Sequence, residues 1–193
     1  MGSKNMKYQL QDLVDVPKLQ ELLDSLYDTF ELPTAIVDTE SNILTLSGWQ
    51  KICLKFHRAN PATEKQCRQS DRYIADHILE GNSSVVYRCP MGLIDIATPI
   101  IIDGKHVGSV FIGQLFLEKP DVEHFRSQAK EYGFNEEDYL EALEKVPVFA
   151  NEQLELNLAF IRKFTEMLGE MGLKRIKEMT AEEELQSAGS PGI

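Results

Sequence analysis

Apolar residues in the first part of the chain recur at three- and four-residue intervals: Leu19, Leu22, Leu23, Leu26 and Phe30. That spacing lines one face of an α-helix. Asp15 stands ahead of it as a candidate cap and Pro17 opens it. The period then shortens to two. Thr34–Asp38 and Ile43–Leu46 read as short strands joined by the polar turn Thr39–Asn42. From Trp49 to Glu80 the helical period returns, broken at Asn60-Pro61 and ended by Gly81-Asn82, and Val85–Tyr87 begins a further strand. Two longer β-like runs, Ile94–Ile102 and Val107–Leu117, flank Asp103-Gly104. That dipeptide predicts a tight hairpin, because both turn positions take positive φ. Pro99 inside the first run predicts an edge position or a bulge.

After Pro120 the pattern is helical to near the end. Asp121–Tyr132 stops at Gly133, Glu136–Lys145 stops before Pro147, and a long helix runs from about Asn151 to Gln186. Ile161, Phe164, Leu168 and Met171 follow the 3,4,3 spacing of a coiled-coil seam, and beyond Met171 the helix turns polar. The expectation is a signalling helix that leaves the domain through a homodimer seam; a terminal helix packed on the sheet is the alternative. The fold class is α/β in the α+β sense: an antiparallel sheet flanked by helices with a long C-terminal helix. The helix–strand–turn–strand opening is shared by ligand-sensing PAS and GAF domains, an analogy at the level of fold. Residues 1–9 are expected to be a disordered start, 10–172 the domain, and 173–193 an exit helix with a linker or tail.

Composition narrows the function classes. The 193 residues carry a formal net charge of −11, which opposes binding to nucleic acid or to an anionic membrane surface. No run approaches the ~18 apolar residues of a membrane span, and no apolar signal core opens the chain, so a cytoplasmic location is expected. Three cysteines, Cys53, Cys67 and Cys89, form an odd set in such a setting. They predict free thiols, thiolate ligands or core residues rather than a disulfide framework.

The unusual side chains gather mid-chain. Cys53-x3-His57 sets a thiol and an imidazole one helical turn apart, with Cys67 and Cys89 further on. Together the four are a candidate tetrahedral metal set, for zinc or iron, although no Cys-x-x-Cys knuckle is present. A redox-sensing thiol and inert core cysteines are the competing readings. A cysteine nucleophile lacks a third triad member and an oxyanion loop, so the chain is read as a non-enzyme. Gly108-x4-Gly113 lies within a strand and cannot cradle phosphate. Gln114 falls by alternation on the face of Val110, Ile112 and Phe116, where a buried carboxamide needs a partner. Asp95 raises the same question for a carboxylate. For both, a ligand in a pocket competes with ordinary partners: backbone for Gln114, solvent for Asp95. Trp49, Phe56, Tyr73 and Tyr87 add aromatic bulk, as pocket wall or as core.

Several segments together resemble the PocR sensory domain: Cys53-Leu-Lys-Phe-His57-Arg58, Cys67-Arg-Gln-Ser70-Asp71, Tyr87-Arg-Cys89-Pro-Met-Gly92-Leu93, Pro99-Ile100, Gly104, Gly113-Gln114 and Tyr139-Leu-Glu-Ala-Leu-Glu-Lys-Val-Pro147. The likeness spans about Leu10 to Gly172. It implies a PAS-like fold, with Cys53, Cys67, Cys89, Gly92, Leu93 and Gln114 as the characteristic positions. It also implies a sensor of small hydrocarbon derivatives such as diols. Such domains sit ahead of histidine kinases, as in two-component systems, of diguanylate cyclases or of DNA-binding domains. Relatives carry a further cysteine near Ser70, so His57 or Asp71 would have to complete a metal shell here. The expected ligand-binding set is Trp49, Cys53, Phe56, Tyr87, Cys89, Leu93, Asp95 and Gln114, and the expected partners are a small molecule, a second copy and an attached effector.

Overall fold

The computed structural model describes residues 7–78 and 83–188, and for 71, 72, 74–76, 78 and 188 the backbone alone. The elements are α1 (Leu10–Leu13), α2 (Val16–Phe30), β1 (Thr34–Asp38), β2 (Ile43–Ser47), a π-helical turn (Cys53–His57), α3 (Pro61–Ile78), β3 (Val85–Arg88), β4 (Ile94–Ile102), β5 (Lys105–Leu115), α4 (Val122–Tyr132), α5 (Glu136–Glu144) and α6 (Asn151–Ala188). The end of the expected Trp49–Glu80 segment, the stop at Gly81-Asn82, most of the disordered start and the last tail residues lie outside the described residues.

Local chemistry sets most boundaries. The Asp15 carboxylate accepts the Lys18 N–H at the start of α2, and Asp121 caps α4 through the Glu123 and His124 N–H groups. Gly133 ends α4 with φ 71°, and Asp103 and Gly104 turn the β4–β5 hairpin at φ 51° and 71°. The strands form one antiparallel sheet in the order β2-β1-β5-β4-β3, giving an α+β fold. β3 pairs only with Ile94–Ala97, so Pro99 sits where β4 has β5 alone as a neighbour.

The two faces of this sheet differ. Ile36, Ile94, Ile96, Ile100, Ile102, Val110 and Ile112 point to one side, where they form the main core with the buried residues of α1, α2 and α6. The other side carries Ala35, Val85, Tyr87, Asp95, Ala97, Ser109, Phe111 and Gly113, as the cross-strand pairs require. α3 lies against this second side: Ser70 Oγ donates to Tyr87 Oη at 2.8 Å, and the Tyr73 and Tyr87 rings are 5.9 Å apart. A separate core of Ile52, Cys53, Met91, Leu93, Phe116, Phe125, Tyr139 and Leu143 ties the π turn to α4 and α5.

The long helix departs from expectation. Ile161, Phe164 and Leu168 do not form an exposed seam; all three are buried against the sheet. A helix packed on a sheet and a helix packed on a helix demand the same 3,4 spacing, and here the helix meets its own domain. Its approach is close. A Cβ on Gly169 would stand 2.5 Å from the Ile101 carbonyl oxygen, and one on Gly172 would stand 2.2 Å from Ile102 Cδ1. Beyond Met171 the helix stays docked, with Leu173, Ile176 and Met179 packed on the main core. Lys7 and Tyr8, placed by sequence within a disordered start, reach Glu183.

Candidate functional site

The α3 side of the sheet is shaped by one irregularity in β5. Ile94 pairs with Leu115 and Asp95 with Gly113, which leaves Gln114 as the extra residue of a β-bulge, with φ 63°. Strict alternation predicts Gln114 on the face of Val110 and Ile112; the bulge removes it from that face. Leu115 takes the place in the main core, and Phe116 enters the second core. A non-glycine residue in the left-handed region costs of order 1–3 kcal/mol and persists only when its surroundings hold it. Two contacts do so. The Gln114 N–H donates to Asp95 Oδ1 at 2.9 Å, and Gln114 Oε1 accepts the Gln50 N–H at 2.6 Å. The buried carboxamide thus pins the entrance of the π turn to the sheet. Gly113 makes room: a Cβ there would stand 1.9 Å from Asp95 Oδ1.

Asp95 is therefore held flat over the bulge, half-buried beneath α3. Tyr87 Oη donates to its second oxygen at 3.4 Å while accepting from Ser70. Around this polar line the sheet offers small residues, Ala35, Ala97, Ser109 and Gly113, with Phe111 and Tyr87 half-buried beside them. This face thus carries small side chains and one carboxylate beneath α3, where the opposite face carries large aliphatic ones.

The three thiols approach the same place. Burial, and then the charge of Asp95, push the Cys53 thiol well above its ordinary range; Cys89 is pushed up to about 12 by the same two causes in the same order. Cys53 and Cys89 each also feel Cys67 as a neighbour. Both therefore stay protonated at neutral pH, the state least suited to nucleophilic attack. Among the described residues no three His, Cys, Asp or Glu side chains converge so as to hold a metal ion. The expected set of Cys53, His57, Cys67 and Cys89 is thus not gathered as a zinc or iron shell; His57 Nδ1 faces Cys53 Sγ at 3.7 Å, and its other nitrogen is bonded to Tyr139. The Asp71 side chain lies outside the described residues.

That other nitrogen opens a buried relay. Burial lowers the His57 pKa to about 4, so the ring is neutral and carries one N–H. Tyr139 Oη donates to Gln128 Oε1 at 2.9 Å and so accepts from His57 Nε2 at 2.7 Å. Nδ1 is left to accept from the Cys53 thiol. Gln128 Nε2 donates onward to His124 Nε2 at 3.0 Å and to the Met91 carbonyl at 3.5 Å. The donors and acceptors run in one direction from a buried thiol to an exposed imidazole. The links from Cys53 to Gln128 are buried beside the second core, where an unpaired polar group would cost about 1–3 kcal/mol.

The expected ligand-binding residues thus divide. Tyr87, Asp95 and Gln114 meet around the bulge. Cys53, Cys89, Leu93 and Phe56 belong to or pack on the second core, where Phe56 sits edge-on to Tyr139 at 5.1 Å. Trp49 stands apart, its ring under the Arg58 guanidinium at 4.9 Å. Ser70, Gln128 and Tyr139 were missed as site residues. Gln128 left a trace, a polar residue on the buried stripe of α4 between Phe125 and Ala129. An open depression of about 480 Å³ at Arg126, Glu136, Glu137, Leu140, Glu141 and Glu144 involves none of the expected residues.

Comparison with known proteins bears on this site. Residues 12–173 match the family model described as the sensory domain found in PocR. The chain is also similar to the regulatory protein PocR of Salmonella typhimurium strain LT2, 31% identical over 108 residues, which cover 53% of this chain and 35% of that protein. The matched stretch is thus about a third of that relative's length. No solved structure matches. No helix among the described residues is long and apolar enough to cross a membrane.

Proposed function

Because this chain belongs to the PocR sensory-domain family, we propose that it binds a small, weakly polar molecule between α3 and the polar face of the sheet. The ligand class is a hydrocarbon derivative with one or two hydroxyl groups. One hydroxyl donates to the Asp95 carboxylate, with Tyr87 and Ser70 completing its hydrogen bonds. Ala97, Phe111 and the Cys67–Cys89 region supply apolar wall. The observation that carries this reading is the Ser70–Tyr87–Asp95 line on a sheet face made of small residues, opposite a face made of large aliphatic ones.

The output follows from β4. The strand shows Asp95 and Ala97 to the groove, while Ile94, Ile96, Ile100 and Ile102 lie in the core with α6. A ligand on one face is therefore a single strand layer away from the outgoing helix. Occupancy shifts α6, and any effector attached to it, only as far as the ligand prefers one of two arrangements of strand and helix. The protonated thiols make the site a poor nucleophile, which favours sensing over catalysis.

Thermal melts of the chain with short-chain vicinal diols and primary alcohols test the proposal. At least one is expected to raise the midpoint of the wild type, and Tyr87→Phe and Asp95→Asn are expected to lose that rise while melting near the wild type without ligand. If no compound shifts the wild type, and native mass spectrometry finds no co-purifying small molecule, the reading fails.

A further inference from the structure

Two uncommon backbone geometries meet at one hydrogen bond. On the sheet, Gln114 sits in the left-handed region at φ 63°. Across from it, Cys53–His57 forms a π turn, closed by the Arg58 N–H on the Cys53 carbonyl at 2.9 Å. An unbroken strand and an α-helix are the ordinary alternatives, so each irregularity persists only while its neighbours hold it.

Gln50 is the joint between them. Its carbonyl accepts the Cys53 and Leu54 N–H groups at 3.0 and 3.1 Å, which starts the turn, and its own N–H goes to Gln114 Oε1 at 2.6 Å. Gln50 and Gln114 are 7% and 6% exposed, so losing that bond leaves a buried donor without water. The Gln114 N–H is held in turn by Asp95 Oδ1. Asp95, Gln114 and Gln50 therefore act in series.

The end of the series reaches the surface. Trp49 precedes Gln50, Arg58 follows His57, and the Arg58 guanidinium lies over the Trp49 ring at 4.9 Å, clasping the two ends of the turn. Within the turn, Ile52 and Cys53 pack with Phe125 of α4 and Leu143 of α5. A shift of the turn is thus passed to α4 and α5, whereas β4 leads to α6.

We propose that Asp95, Gln114 and Gln50 form a two-state coupling device: a partner that draws the Asp95 carboxylate from the Gln114 N–H loosens the bulge, and with it the π turn and the Trp49–Arg58 clasp. The domain gains a second output, toward α4 and α5. The trigger rests on the reading of Asp95 as the residue that meets a ligand; the coupling is a property of the chain alone.

The chain has a single tryptophan, so its emission reports on Trp49. Hydrogen exchange follows the Gln50 and Arg58 amides, with Ile96 and Ile112 in the sheet as references. Asp95→Ala, two hydrogen bonds from Gln50, is expected to move the emission and speed exchange at Gln50 and Arg58 about tenfold while the references hold. Asp95→Asn keeps an acceptor oxygen and is expected to stay near the wild type. Gln114→Asn tolerates the left-handed bulge but falls a methylene short of Gln50, and is expected to loosen the turn as Asp95→Ala does. The double variant Asp95→Ala, Gln114→Asn is expected to go no further, since both changes cut one series. Unchanged emission and exchange in Asp95→Ala, or effects that sum in the double variant, overturn the coupling. Unchanged exchange in Gln114→Asn, the milder change, overturns it independently. A short-chain vicinal diol that raises the melting midpoint is expected to shift Trp49 emission as well. A raised midpoint with unchanged emission overturns the device and leaves the sensing role standing; a flat midpoint with every diol overturns the sensing role, and the variants still decide the coupling.

Discussion

The two faces of one sheet contrast on nearly the same backbone. Toward α6, β4 presents Ile94, Ile96, Ile100 and Ile102, at most 5% exposed, and β5 adds Val110 and Ile112. Toward α3 the intervening residues are Asp95, Ala97 and Pro99, with Ser109, Phe111 and Gly113 beside them. Side chains alternate across a strand, so one nine-residue run writes both surfaces at once. The aliphatic face secures the fold by burying area. The other face buries less and places a carboxylate and a hydroxyl where a close-packed core would have methyl groups. A sheet that puts its large aliphatic side chains on one side can carry polar groups on the other.

The sharpest way to break this contrast is to cut into the aliphatic face. Ile100 is fully buried, and Ile100→Ala is expected to lower the unfolding free energy by about 2–5 kcal/mol, as transfer and cavity terms add. Urea titration measures it. A loss below about 1 kcal/mol would mean that this side is not the close-packed one.

The second core sharpens the contrast through pH. His57 falls from 6.5 to about 4 on burial, so between those values the unfolded chain binds a proton that the folded chain refuses. Stability therefore declines as pH drops from about 6.5 and levels off below about 4, losing about 3 kcal/mol in all. In His57→Asn that part of the acid dependence should vanish, which parallel melts of the two proteins across this range would register. An identical pH slope in both would show that the ring titrates freely.

Legibility in the sequence followed the range of the interactions. Asp121 and Gly133 bound α4, and Asp103-Gly104 turn the hairpin, because capping and turn chemistry act within a few residues. Cys53 and His57 were legible as a pair for the same reason, although the turn joining them is π rather than α. Gln114 was misplaced because alternation assumes an unbroken register, and a bulge announces itself only through its partner strand. The stripe of α6 read equally as a dimer seam or as a sheet-packing face, because apolar spacing states that a stripe is buried without stating against what; the second reading is the one the helix takes. The His57–Tyr139 bond closes 82 residues of chain, beyond any local pattern.

The smallest expected effect asks most directly whether the polar face holds a recess. Ala97 is fully covered, yet it stands opposite Val85 and Phe111 on the side of Asp95 and Gly113. If the space under α3 is kept for a ligand, the larger side chain of Ala97→Leu fits into it, and stability should change by no more than about 1 kcal/mol. The ligand-induced rise in melting midpoint should be abolished, since the new side chain occupies the ligand's volume. If the face is solid, overpacking should instead cost about 1–3 kcal/mol. The two outcomes separate on one pair of melts, with and without a stabilising diol: an unchanged midpoint with a lost response marks a recess, and a lowered midpoint marks a filled core.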